Sequence, residues 1–152
     1  MKAEEMTILD FAPEKKQKRV SQINEPRNKT HVIALVPVEY LNHTWPDVKD
    51  EIQRAVARSN GRWSIEFLYA AILNGQQQLW VAFDEDKNID GVGTTEVAHY
   101  PGKIMLAIQF LGGNNFNSWV WDMLEKFKQF GRDNGCHGIE ATGRQGFWKW
   151  LG

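Results

Sequence analysis

Two groups of residues in this chain have types and spacings suited to chemistry. The first is Leu111-Gly112-Gly113-Asn114-Asn115-Phe116-Asn117-Ser118, which stands between an apolar strand-like run, Ile104 to Phe110, and an amphipathic stretch that reads as a helix from about Trp119. A Gly-rich turn that opens a helix aims backbone N–H groups and the positive helix end at one spot, a ready place for a phosphate or carboxylate. Leu111, Gly112, Gly113, Asn114, Asn115, Asn117 and Ser118 are therefore the candidate anion-binding residues, with Asn117 or Ser118 as helix cap. The same residues are equally well explained as a tight turn plus cap. The second group is acidic. Glu96 and Glu140 each lie among apolar strand-forming residues, the setting in which desolvation turns a carboxylate into a useful base. Each stands equally as a solvent-facing strand residue or an ion-pair partner of Arg144. Tyr100, at a strand end, is a candidate acid or a turn-packing aromatic.

Other chemistries find less support. His31, His43, His99, His137 and Cys136 show no paired metal-ligand spacing, so no metal site is expected. Cys136, after Gly135, reads as a small buried hydrophobe. Gly91-Val92-Gly93-Thr94-Thr95-Glu96 looks superficially like a dinucleotide loop, but it lies inside a strand and lacks a third glycine and a following helix. Trp119 and Trp121, like Trp148 and Trp150, are two residues apart, so one of each pair is expected in the core and the other toward solvent or a partner.

The elements that must position these residues follow from periodicity. Residues 1–30 carry Glu14-Lys15-Lys16-Gln17-Lys18-Arg19, Pro13 and Pro26 and little period, and read as a flexible arm in which Ile8, Leu9 and Phe11 can dock on a partner. The folded domain, 31–152, opens with the apolar run Val32 to Val36. A helix is predicted from about Trp45 or Pro46 to Ser59, with Thr44 as N-cap and Val48, Ile52, Ala55 and Val56 as its buried stripe. Ser64 caps a second helix bearing Ile65, Leu68, Tyr69, Ile72 and Leu73, ended by Gly75. Strands Gln78 to Phe83, Gly91 to Tyr100 and Lys103 to Phe110 make an antiparallel meander, joined by the turns Asp84 to Asp90 and Pro101-Gly102. Val120, Met123, Leu124 and Phe127 mark the core face of the next helix, which Gly135 ends, and His137 to Ala141 form a last strand reached by a right-handed parallel crossover. The aromatic ending is Phe147-Trp148-Lys149-Trp150-Leu151.

Composition limits the function classes. One domain is the default for 152 residues, and 42% hydrophobic with 24% charged residues exclude a wholly disordered chain. A net charge of -1 supplies no electrostatic reason to bind nucleic acid. A single Cys excludes an intrachain disulfide, and no apolar run approaches the roughly 20 residues of a membrane span. Met1 to Asp10 lacks the apolar core of a secretion signal, so a cytoplasmic site is expected.

The order strand, helix, helix, three meander strands, helix, strand, helix resembles the GNAT acyltransferases. Ala57-Arg58-Ser59-Asn60-Gly61-Arg62, Gln78-Leu79-Trp80-Val81, Thr95-Glu96-Val97 with Tyr100-Pro101, Leu111-Gly112-Gly113, Gly135-Cys136 and Ile139-Glu140 with Gly143-Arg144-Gln145-Gly146-Phe147 look more closely like a GNAT-like group of the tailed bacteriophages. The resemblance covers about residues 31 to 152. It implies an α/β fold: a mixed, mostly antiparallel sheet flanked by helices and truncated after the fourth helix. The sheet splays beside its fourth strand to take an acyl-CoA arm. It also implies transfer of an acetyl group from acetyl-CoA to an amine, with Glu96 or Glu140 as base, Tyr100 as acid and Leu111 to Ser118 around the cofactor. In that family the turn reads Gln or Arg, two residues, Gly, one residue, then Gly or Ala; this chain has no Arg or Lys there. With the sequence ending at Gly152, no counterpart of the family's sixth and seventh strands or of its common Tyr acid is expected. The alternative is a catalytically inactive virion or assembly protein. It would act in the host cytoplasm or the virus particle, contacting phage structural proteins, or its own copies, through the N-terminal arm and the edge of the last strand.

Overall fold

The alternating apolar strands leave their side chains on both faces of a sheet, so two layers of helix are needed to cover them. A computed structural model shows that arrangement and describes residues 8–9, 30–59 and 61–141. In chain order the elements are β1 (Ile8–Leu9), β2 (Val32–Leu35), a 3-10 turn (Val38–Tyr40), α1 (Leu41–Ala57), α2 (Ile65–Leu73), β3 (Gln78–Phe83), β4 (Ile89–Tyr100), β5 (Lys103–Gly113), α3 (Phe116–Asp133) and β6 (Gly138–Ala141). The sheet order is β1-β6-β5-β4-β3-β2, antiparallel throughout except for the β5–β6 pair.

One face packs on α3 and the other on α1 and α2. Along β3, Trp80 and Ala82 join Met123, Leu124 and Phe127 of α3, while Leu79 and Val81 join Val48 and Ile52 of α1 and Leu68 and Ile72 of α2. Phe127 and Phe130 meet the Trp80 ring edge-on, at centroid distances of 5.1 and 5.5 Å. Among the described residues no helix is long and apolar enough to cross a membrane.

Several boundaries differ from the sequence reading. The first helix begins at Leu41, not at Trp45 or Pro46, and Thr44 does not cap it. Leu41 is buried with Val48, Ile52 and Val56, so its burial holds a turn that Pro46, lacking an N–H, weakens but does not end. Ala55 is only half-buried and Leu73 is 49% exposed, because the stripes of both helices are narrower than the apolar residues suggest. The Ser64 cap is formed, its Oγ accepting from the Phe67 N–H at 3.1 Å. Trp119 and Trp121 are both buried, contrary to the expectation that one would face outward. Trp148, Trp150, Arg144, Asn60 and the predicted final helix lie outside the described residues. Of the proposed arm, Ile8 pairs with Glu140 and Leu9 with Ile139, so the edge that the sequence leaves open carries a two-residue strand here. Unpaired backbone groups at a strand edge favour such an addition.

Candidate functional site

The three acid–base candidates share one face of the sheet. Val92 packs toward α1 and α2, and the two-residue alternation along β4 carries Glu96 and Tyr100 to the same side. Glu96 pairs with Ala107 of β5, and Ala107 pairs with Glu140 of β6. The two glutamates thus end a row of three residues with an alanine between them, their Cα atoms about 10 Å apart by two strand spacings.

A bulge organises the centre of this face. Thr94 pairs with Phe110 and Thr95 with Ile108, which leaves Gln109 as an extra residue of β5. The Gln109 Nε2 group donates to Glu96 Oε1 at 3.4 Å, and Gln77 Nε2 donates to the same oxygen at 3.2 Å. Gln77 is 2% exposed, so its amide is fixed by packing, and its own Oε1 is buried without a hydrogen-bond partner. Two neutral amides on one carboxylate oxygen hold Glu96 in a single orientation. Neither glutamine was singled out by sequence reading. Gln77 lies just outside a strand and Gln109 inside one; the β3–β4 register sets Gln77 beside Glu96, and the bulge brings Gln109 there.

Tyr100 is 44% exposed and donates its hydroxyl proton to Glu140 Oε2 across β5. This hydrogen bond, then burial and the negative charges of Glu140 and Glu96, push the phenol up to about 12. The proton is held more firmly than in an ordinary tyrosine. As the candidate acid, Tyr100 is therefore a weak one in this arrangement. Cys136 is buried, and burial pushes its thiol up, as expected for a packing residue.

The Gly-rich turn differs from its sequence reading in two ways. Leu111, Gly112 and Gly113 belong to β5, pairing with Gly93, Val92 and Gly91. The helix starts at Phe116, so Asn117 and Ser118 lie in its first turn and neither is the cap; Asn115 is, at φ 54, with no side-chain cap bond. The physical reason is a set of ties to Asp90. The Asn114 N–H donates to the Asp90 carbonyl at 2.8 Å, and Asn115 Nδ2 donates to Asp90 Oδ2 at 3.4 Å. Asp90 is itself a bulge residue, left between the pairs Phe83–Ile89 and Ala82–Gly91. Its Oδ2 is 2.9 Å from Nε2 of His31, whose side chain is fully buried and whose Nδ1 has no partner. Gly113 has φ 140, and a Cβ there would lie 2.1 Å from the Asp90 carbonyl oxygen. Trp119 closes the turn: its Nε1 donates to the Asn114 carbonyl at 2.7 Å and its ring lies over Gly91.

The described pairing of β5 with β6 reaches Ala141, the last described residue. The last described pair is Ile108 with Ala141, and β5 runs on through Gln109 to Gly113 beside β4 alone among the described residues. At the turn into α3 two of the candidate backbone donors are engaged within the fold. Asn114 has already spent its amide, the Ser118 N–H donates to the Asn115 carbonyl at 2.8 Å, and Glu51 of α1 puts Oε2 within 2.8 Å of where a Gly112 Cβ would sit.

No family model matches the sequence, and no curated protein matches it. Solved structures do. An aminoglycoside N-acetyltransferase in complex with CoA aligns with a TM-score of 0.58 and 13% identity, over 85% of this chain and 91% of that one. An aminoglycoside acetyltransferase from an uncultured soil metagenomic sample, in complex with sisomicin, gives 0.57 and 15% over 76% and 78%. A ribosomal-protein-alanine N-acetyltransferase from Brucella melitensis biovar Abortus 2308 gives 0.56 and 11% over 76% and 82%. At such identities the likeness is one of fold: the chain has the mixed, mostly antiparallel sheet and flanking helices of the GNAT acetyltransferases.

Proposed function

We propose that this protein transfers an acetyl group from a thioester of the acetyl-CoA class to an amine. One observation carries the reading: in a sheet of the GNAT acetyltransferase fold, the Glu96 carboxylate is held through one oxygen by a buried and a half-buried amide. The thioester supplies an activated carbonyl. Amine acylation forms a C–N bond and breaks the C–S bond; the amine loses a proton, and the departing thiolate takes one up from solvent to leave as thiol. On this reading Glu96 takes the amine's proton: both of its amide bonds fall on Oε1, which leaves Oε2 for the proton. Glu140 has a different role. It accepts a hydrogen bond from the Tyr100 hydroxyl, which orients the phenol and holds its proton more firmly. The edge of β5 from Gln109 to Gly113 is the proposed place for the donor's extended arm.

A second reading draws on the turn at Gly113. A GNAT scaffold of the tailed-bacteriophage group that acts only through protein contacts needs no phosphate site, and the ties of Asp90 to Asn114 and Asn115 suit a purely structural turn. Thiol release from acetyl-CoA and from S-acetylpantetheine, measured against a panel of polyamines, an aminoglycoside and lysine-bearing peptides, separates the two. Turnover that Glu96→Gln abolishes supports the transferase. A folded wild type that releases no thiol with any amine overturns it in favour of the assembly protein.

A further inference from the structure

We infer that the outer face of α2 is the seam of a symmetric dimer, in which a second copy of this chain packs its own α2 antiparallel across Ala70. The inference does not depend on the acyl-transfer reading, and it concerns a surface that reading leaves unused.

α2 is apolar almost all the way round. Glu66 is the one charged residue among its nine, Ile65 to Leu73. A helix without a polar side is ordinarily covered on every side. Here Leu68, Ala71 and Ile72 are buried, yet Phe67 is 63% exposed, Leu73 is 49% exposed and Ala70 is exposed between them. At about 100° per residue the exposed arc runs from Leu73 and Glu66 through Ala70 to Asn74 and Phe67, with Ala70 at its centre. The rings at its flanks are already held. Phe67 packs on Trp63 with centroids 5.6 Å apart. Tyr69, on the other flank, meets Trp45 of α1 edge-on at 4.9 Å and donates its hydroxyl to Asn42. Anchors fixed before contact lose little rotamer freedom on binding.

Charge and shape select the occupant. From Trp63 to Phe83 the sequence carries a single charge, Glu66, so this face gives a nucleic acid or a charged peptide no ionic partner of opposite sign beyond one carboxylate. It fits an uncharged helix face with a small residue at the middle, and α2 is itself such a face. A two-fold axis at Ala70 runs the helices antiparallel, lets the backbones approach at the two alanines, and sets Phe67 of each copy level with Leu73 of the other. The same reversal sets each Glu66 level with the neutral Asn74 of the other copy and keeps the two carboxylates about 12 Å apart along the axis. A parallel pair would set them level with each other. Helices of nine residues make a seam smaller than the roughly 800 Å² per partner of a standard interface, so the dimer should dissociate on dilution, with a Kd of about 10 to 100 µM.

Sedimentation velocity of the full chain from about 1 to 300 µM tests this. Wild type should pass from monomer to dimer across that range. Ala70→Glu and Ala70→Lys each put like charges across the axis and should stay monomeric throughout, with melting temperature unchanged because the position is exposed. Mixed one to one, the two variants should associate at least as tightly as wild type, since opposite charges then meet. Unfolding cannot produce that rescue. A wild type that stays monomeric at the highest concentration overturns the inference, whether the face is bare or is taken by another part of the chain or by another protein. A dimer that Ala70→Glu leaves intact overturns it as well, because the contact then lies elsewhere. Variants that are monomeric alone and remain so when mixed overturn the seam at Ala70.

Discussion

The two bulges of this sheet, at Gln109 and at Asp90, do opposite things with the residue they add. Each inserts one residue into a long strand and re-aims its side chain. At Gln109 the added amide turns inward to a carboxylate, and both recorded bonds to Glu96 fall on one oxygen. At Asp90 the added carboxylate is consumed by structure: His31 on one side, Asn115 on the other, with the Asp90 carbonyl holding Asn114. A polar group whose hydrogen bonds are met by its own fold fixes a turn. One with an oxygen left over is equipped for chemistry. On the proposed function, the difference puts the reactive carboxylate beside the middle of β5 rather than at its Gly-rich end, where the sequence first draws attention.

Substitutions can break this comparison from either side. The largest expected effect is on catalysis at the Gln109 bulge. Glu96→Gln should lower kcat by about 10²- to 10⁴-fold, as for loss of a general base, with melting temperature little changed; thiol-release kinetics beside thermal unfolding measure both. At the other bulge the effect should appear as stability. Gly113→Ala places a methyl 2.1 Å from the Asp90 carbonyl oxygen at a φ of 140, and should cost about 3 kcal/mol in urea unfolding. Gly112→Ala, which meets only the movable end of Glu51, should cost far less. Gln77→Leu sharpens the contrast further. With Glu96 held by Gln109 alone, kcat should drop by about tenfold to a hundredfold while KM for the amine stays near wild type. A matching loss of stability and activity would instead make Gln77 a packing residue.

Asp90→Asn should be milder. It keeps the shape but weakens the contact with His31, and should cost about 1 to 2 kcal/mol with no change in the acyl-transfer chemistry of a folded sample. The smallest effect concerns Tyr100. Its neutral form is favoured in the fold, so the stabilisation is fully present below the ordinary phenol value of 10.0 and is lost as pH rises through about 12. Ultraviolet titration of the phenols in wild type and Tyr100→Phe should assign a late-titrating tyrosine to this position. Glu140→Gln should bring it back down, since the hydrogen bond to Glu140 is the main cause of the shift.

Much of this molecule was written in local pattern. The alternation of Gln78 to Phe83 predicts β3 to the residue, Ser64 caps α2 as its hydroxyl suggests, and Val120, Met123, Leu124 and Phe127 form the buried stripe of α3. Gly75 and Gly135, both at positive φ, follow their helices because only a residue without Cβ takes that conformation cheaply. The carboxylates Glu96 and Glu140 were also visible, since acidic residues among strand formers stand out. What the sequence by itself determined, then, were the elements, the order that gives the fold, and the list of acids. Tertiary structure decided the rest. It set the register that puts Ala107 between the two glutamates, the bulge that brings Gln109 to the Gln77 side of Glu96, and the reach of Tyr100 to Glu140. It also moved the start of α3 to Phe116 by tying Asn114 and Asn115 to a residue 24 and 25 positions earlier. Periodicity and capping depend on neighbours within a turn or two of chain, whereas a bulge or a long-range hydrogen bond depends on which strands meet, and that is settled only when the sheet closes.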